Sequence, residues 1–331
     1  MKLKKTALIS LFAASSLLMG TGAFAATFKV AVGDAQGGTQ WELATTFKKL
    51  FEQKTAGKHK LDLYPNGQLG SEEDTVNNAA MGTLDFSILA VNNITPFSPT
   101  VGILTLPYVI QSAEEAKKLT TGVVGKELTE NTVRDAKVRI VGWAYSGFRV
   151  LTNSKKPVKT VADLQGLKIR VPKNEIMIAS YQAWGINPTP MAWSETFTAL
   201  QQGVVDGQDN PYITVGAMKF NEVQKYITNV RYVFSLEPLV VSESLFKRQP
   251  ADVQKAILDA GAEATESSFR FLQETESRIK KELTTKGMQI SDPADGEKEW
   301  IAKATTTVWP KFYKSIGGKD KLDKVLKELG R

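Results

Sequence analysis

The sequence predicts an α/β protein of two lobes, with helices on both faces of its sheets. Three observations carry this. Residues 28–32, a helix from about Trp41, and residues 60–64 are spaced as strand, helix and strand, which calls for a parallel, right-handed crossover. A helix–Gly–x–x–Asp unit occurs twice, about 120 residues apart. After Pro250, a proline-free stretch to about Lys286 carries a discontinuous apolar stripe. As one helix it would be on the order of 50 Å long, enough to lie across two lobes.

The chain opens with Lys2, Lys4 and Lys5, an uncharged apolar run from Ala7 to Met19, and Ala23-Phe24-Ala25. This is the pattern of a secretory signal peptide, residues 1–25, cut after Ala25. The apolar run is too short to span a bilayer. Its removal takes away three lysines and no acid, so the net charge of +7 falls to +4. Charges of both signs are interspersed, with no basic stripe of the kind that binds nucleic acid. Cysteine is absent, which excludes disulfides, thiolate metal sites and cysteine nucleophiles. An exported chain of this length without disulfides needs a good core, and 42% hydrophobic residues can supply one. His59 is the one histidine, read as a surface residue at a strand start. A histidine-built metal site or a serine–histidine triad therefore has little to draw on, and no cofactor is indicated.

The first strand is followed by the turn-rich segment GDAQGGT (33–39), then by a helix with Leu43, Phe47, Leu50 and Phe51 on one face. The repeated unit comes next. Ser71 caps a helix that Gly82 ends, and a strand begins past Asp85. Ser194, Gly203 and Asp206 repeat that order. These are either equivalent elements of two lobes or chance reuse of good caps. A connecting strand is expected over 146–153 and a return crossing near 233–236. The division is then 26–147 with 236–275 for the first lobe, and 148–235 with 276–331 for the second. Within the final long segment, Val253, Ile257, Ala264, Leu272, Ile279 and Leu283 form the stripe, unless Gly261 breaks it into two helices.

The segment LQGLKIRVPKN (164–174) alternates Leu167, Ile169 and Val171 with Lys168 and Arg170, as a strand packed on one face does. Arg170 is then either a solvated side chain or one aimed into a cleft to hold an anion. Ligands of open α/β sheets bind beyond the carboxyl ends of strands. Arg149, Arg170 and Asn210 are expected at such ends. A guanidinium offers a planar fork matched to a carboxylate, and an asparagine a directional donor and acceptor. Trp193, just before a helix, either walls a pocket or belongs to the core. Asp206 with Asp209 is the nearest carboxylate pair for acid–base work, and Glu72-Glu73 reads as an ordinary first helical turn.

The motifs GLKIRVP (166–172), PTPMAWSE (188–195) and ALQQGVVDGQDNP (199–211) resemble the solute-binding subunit of tripartite ATP-independent periplasmic (TRAP) transporters. YPNGQLG (64–70), GTLD (82–85) and LPY (106–108) extend the resemblance over essentially the whole mature chain. It implies a two-lobed Venus-flytrap fold with a long helix across the back, a periplasmic location, and a sodium-coupled membrane permease as partner. It also implies that the ligand is a small organic acid, either a sugar acid or a C4-dicarboxylate, and that the chain is not an enzyme. The family's ligand-gripping arginine falls on Arg170. A second arginine and an asparagine of the sialic-acid-binding members fall on Arg149 and Asn210, and an aromatic pocket residue on Trp193. Those members carry a glutamate and an arginine where this chain reads ILAVNN (88–93), so sialate is not the expected ligand. Asn92, Asn93 and Gln36 either bond the hydroxyls of a sugar acid or are plain turn residues. A monomer is the default expectation. A co-receptor for a sensor kinase and a periplasmic enzyme acting on an organic acid are the competing readings.

Overall fold

A computed structural model describes residues 25–331. The expected signal peptide, apart from its last residue, lies outside the described residues. Ten strands are formed: β1 (Ala26–Val32), β2 (His59–Tyr64), β3 (Phe86–Ile88), β4 (Val138–Asn153), β5 (Ile169–Val171), β6 (Thr189–Pro190), β7 (Gly207–Pro211), β8 (Tyr226–Thr228), β9 (Phe234–Ser242) and β10 (Gln289–Ser291). The main path runs β2-β1-β3-β9-β4-β7-β5-β6, with β8 on β4 and β10 on β8. β1 and β2 pair in parallel across the helix Thr39–Lys54, as the crossover requires.

β4 joins two halves of the structure. Residues from Val138 to Phe148 pair with β9, while Arg149 to Asn153 pair with β7 and Leu151 to Asn153 with β8. Both faces of the first half are covered. Ile140 and Val240 point into a core with Val76, Leu119 and Leu128. Their neighbours Val141 and Val241 point the other way, onto Leu43, Phe47, Phe51, Ile257 and Ala260. That alternation is the pleat read out in packing.

The stretch after Pro250 is one helix, Ala251–Thr285, unbroken at Gly261. Its glycine is instead a point of contact with β4. A Cβ on Gly261 would lie 1.9 Å from the Val141 carbonyl oxygen. β4 shifts register between Ile140 and Gly142 and again between Tyr145 and Gly147. Nearby, the helix supplies acceptors: Trp143 N–H donates to Thr265 Oγ1 at 2.9 Å and Tyr145 N–H to Ser268 Oγ at 3.1 Å. Glycine to alanine inside a helix ordinarily stabilises by about 1 kcal/mol. Here the backbone oxygen cannot yield cheaply, so Gly261→Ala is expected to destabilise by about 1–3 kcal/mol, read from the midpoint of urea unfolding.

Two expectations need correction. His59 is buried, its ring 5.6 Å from that of Phe28 and 6.2 Å from that of Phe51. Lys58, just before β2, and Lys60 within it point outward, so the same alternation sends the imidazole inward. Ser194 is exposed and caps no helix, although Gly82 and Gly203 do end both repeated helices in the left-handed region, at φ 76° and 69°. The C-terminal helix Lys319–Glu328 packs Leu322 and Val325 into the core that holds Leu119 and Leu128 together with Ile176 and Ile213. Arg331 pairs with Glu115 at 3.0 Å in the same region.

Candidate functional site

A cavity lies between the two halves. Arg149, Arg170, Asn210, Trp193, Asn92 and Asn93 all line it, so the structure brings together the residues singled out above, Gln36 excepted. Gln36 is exposed on the turn after β1, and Gln40, inside the following helix, faces the cavity instead.

Arg170 sits on β5, whose three residues are all buried. Its side chain leaves the strand on the face opposite Ile169, and that face meets the cavity rather than solvent. Nε and Nη2 both donate to the Met191 carbonyl, at 3.1 and 2.7 Å. The guanidinium also lies 5.8 Å from the Trp193 ring. Trp193 is half-buried and packs edge-on against Phe220, so it is both pocket wall and packing. No carboxylate among the described residues pairs with Arg170. Burial, and then the nearby Arg149 charge, push its pKa down to about 10, so it stays charged at neutral pH.

Arg149 differs. It lies inside β4, and its Nε and Nη2 grip Asp209 Oδ1 at 2.9 and 2.7 Å. The Asp209 carbonyl also accepts from Nη2, and its other carboxylate oxygen takes the hydroxyls of Tyr181 and Tyr232. Burial works against this guanidinium's charge, yet Asp209, with Tyr232 and Glu237, more than offsets it and raises the pKa. Arg149 therefore already has a buried counter-ion. The Asp206–Asp209 pair expected for acid–base work is split. Asp206 accepts from the Lys168 N–H at 2.9 Å, Asp209 belongs to Arg149, and neither lines the cavity. Asn210 is buried on β7, its Nδ2 donating to Gln208 Oε1 at 2.6 Å.

Opposite the arginines stand three buried carboxylates that the sequence did not reveal as a group: Asp34 after β1, Glu72 at the start of the helix Glu72–Met81, and Glu237 on β9. Glu72 is not an ordinary first-turn residue. Ser71 and Asp74 complete the helix cap by themselves, which leaves Glu72 free to turn inward. Gln40 Nε2 donates to Glu72 at 2.9 Å and to Glu237 at 3.0 Å. Asn93 Nδ2 and the Ala90 N–H also donate to Glu72. Asn92 donates to Asn93 at 2.8 Å, and its carbonyl accepts from Asn174 Nδ2 at 3.0 Å, a link from the segment after β5 to the loop after β3.

Burial, then the other carboxylates, raises Asp34; burial and then Glu237 push Glu72 up to about 7; burial raises Glu237 although Gln40, Ser235 and Arg149 oppose it. Between about pH 4.5 and 7 the folded protein then holds a proton on Glu72 that the unfolded chain has lost. Stability in the empty state must fall as pH rises through that window, by up to about 1.4 kcal/mol per pH unit for one such proton. Glu72→Gln is expected to flatten the slope, checked by urea midpoints at pH 5, 6 and 7.

The chain matches the family model DctP, bacterial extracellular solute-binding protein, family 7, over residues 32–316. A solute-binding protein of Verminephrobacter eiseniae is 35% identical over 298 residues, 90% of this chain and 88% of that one. A TRAP periplasmic solute-binding protein of Rhodobacter sphaeroides, crystallised apo and open, is 37% identical, with 92% of this chain and 99% of that one covered and a TM-score of 0.75. One from Roseobacter denitrificans with bound L-galactonate is 30% identical, covers 92% and 99%, and has a TM-score of 0.85. The arrangement seen here thus lies nearer the galactonate-bound protein than the open one, against the order of identity. Proteins of this family are periplasmic, and among the described residues no helix is long and apolar enough to cross a membrane. The two-lobed α/β architecture, the cavity between its halves and the match over most of the length place this chain in the DctP family of TRAP transporter solute-binding proteins.

Proposed function

We propose that this protein captures a small hydroxylated organic acid by its carboxylate on Arg170 and delivers it, as a monomer, to a sodium-coupled TRAP permease. The observation that carries this reading is the Arg170 guanidinium, buried at 2% exposure beside a cavity without a carboxylate partner. Taking a cation out of water is costly unless an anion compensates it. An open form keeps Arg170 wet, and a bound carboxylate makes closure favourable. Ligand then shifts the open–closed equilibrium by its differential affinity for the two forms. Closure hinges where β4 and β9 run between the halves, near 147/148 and 235/236, with a third boundary at 275/276 in the long helix. Gly147, at φ 91° beside a register shift, supports that placement. The galactonate held by the Roseobacter relative is an acid of this class.

The test is a thermal-shift screen of the mature protein, unfolded and refolded to strip carried ligand, against sugar acids, C4-dicarboxylates and 2-oxo acids. A ligand well above its Kd raises the melting temperature by mass action. Binding that Arg170→Ala leaves unchanged would sink the clamp.

A further inference from the structure

The cavity has a polarity of its own. Arg170 stands on one wall with Nε and Nη2 given to a backbone carbonyl and Nη1 outside those bonds. On the opposite wall several of the protein's donors are already taken up by carboxylates. Gln40 gives both amide protons to Glu72 and Glu237, and Ser235 gives its hydroxyl to Glu237 at 3.0 Å. Asp34 is only 3% exposed and lines the cavity, its carboxylate turned toward the Gln40 backbone N–H. Two glycines make the room. A Cβ on Gly38 would lie 2.8 Å from Asp34 Oδ2, and one on Gly33 would lie 2.3 Å from Glu72 Oε1. A carboxylate has about four acceptor sites, so one backbone donor leaves capacity that a bound hydroxyl can use.

Resting on the proposed Arg170 clamp, we infer that Asp34, backed by Glu72 and Glu237, selects hydroxy monocarboxylates over dicarboxylates. The acid group lies on Arg170 and a neutral hydroxyl tail donates to Asp34. A second carboxylate at the tail brings no donor and adds a fourth acid to three buried ones crowded together, so it fits only by carrying or capturing a further proton, which costs affinity at neutral pH. The same logic makes a site built for a hydroxyl reject an analogue that lacks it.

The experiment is calorimetric titration of the refolded mature protein with D-gluconate, D-galactonate, L-galactonate and D-glucuronate, against glucarate and galactarate. These two diacids carry a carboxylate in place of the terminal hydroxymethyl group of gluconate and of either galactonate. The tightest monoacid is expected to bind at least 100-fold more tightly than its diacid. Asp34→Asn should shrink that gap at least tenfold, mainly by strengthening the diacid. Glu237→Gln is a second variant with the same expected direction, should Asp34→Asn fold poorly. A diacid within threefold of its monoacid in the wild type, or a gap that both variants leave unchanged, overturns the inference; if Arg170→Ala still abolishes binding in that case, the clamp survives without it. Should none of the six acids bind, or should Arg170→Ala bind them normally, the clamp fails and the selectivity argument falls with it.

Discussion

Replacing Arg170 by alanine is expected to weaken ligand binding by about 2–5 kcal/mol, or roughly 30- to 5,000-fold in Kd. The range is that for removing one member of a buried, hydrogen-bonded charge pair, because the bound carboxylate would be left without its counter-charge. Arg170→Lys should recover only part of the loss, since an ammonium lacks the planar fork. The empty protein should behave differently. Arg170 has no buried counter-ion of its own, and burial with a second arginine nearby already disfavours its charge. Arg170→Met keeps the apolar stem and removes that unpaired cation, so the ligand-free melting temperature is expected to hold or rise. Binding lost with stability retained would mark a residue kept for its ligand. A fall in stability as large as the fall in affinity would mark a structural arginine, and the assignment would be wrong.

Asp209→Ala should give the opposite pattern. Asp209 is the counter-ion of Arg149 and accepts from two buried tyrosines. Removing one partner of a buried pair costs about 3–5 kcal/mol, because the other charge stays buried without compensation. The Tyr181 and Tyr232 hydroxyls would lose their acceptor as well, at about 1–3 kcal/mol each. A domain's whole stability is about 5–15 kcal/mol, so a large part of it rests on this carboxylate. Denaturant unfolding of Asp209→Asn, which keeps the shape, should already show a loss above 2 kcal/mol. Replacing both partners, Arg149→Met with Asp209→Leu, should recover much of it, because two charges then leave the interior together. If the double replacement is no better than the single one, the pair is not what holds these strands.

These two arginines show where the sequence stopped being informative. Both lie in strand-like runs, and both matched positions of the same family. Local alternation placed each side chain on a face. It could not say what else projects there. The partner of Arg149 is set by the antiparallel register of β4 on β7, which places Arg149 opposite Pro211 and brings in Asp209 from 60 residues away. Arg170, on a strand parallel to its neighbours, meets a backbone carbonyl and open space.

The acidic wall is a stronger case. Gln40 bonds Glu237 across 197 positions and Glu72 across 32. In the sequence Glu72 looked like a helix-start residue of the usual kind, and nothing near Glu237 set it apart. His59 shows the converse: its alternation with Lys58 and Lys60 already pointed inward, and only the expectation that a polar ring seeks water hid it.

What the sequence by itself determined was whatever local sterics and short periods control. That includes the parallel crossover of β1 and β2, the two helices ended by Gly82 and Gly203, and Arg170 as a candidate for holding an anion. The tertiary structure alone decided which buried charges already have partners and which are left for a ligand. Charge compensation is a property of pairs, and the pairs here are made by strand register and by the meeting of two sheet halves, which no single segment encodes.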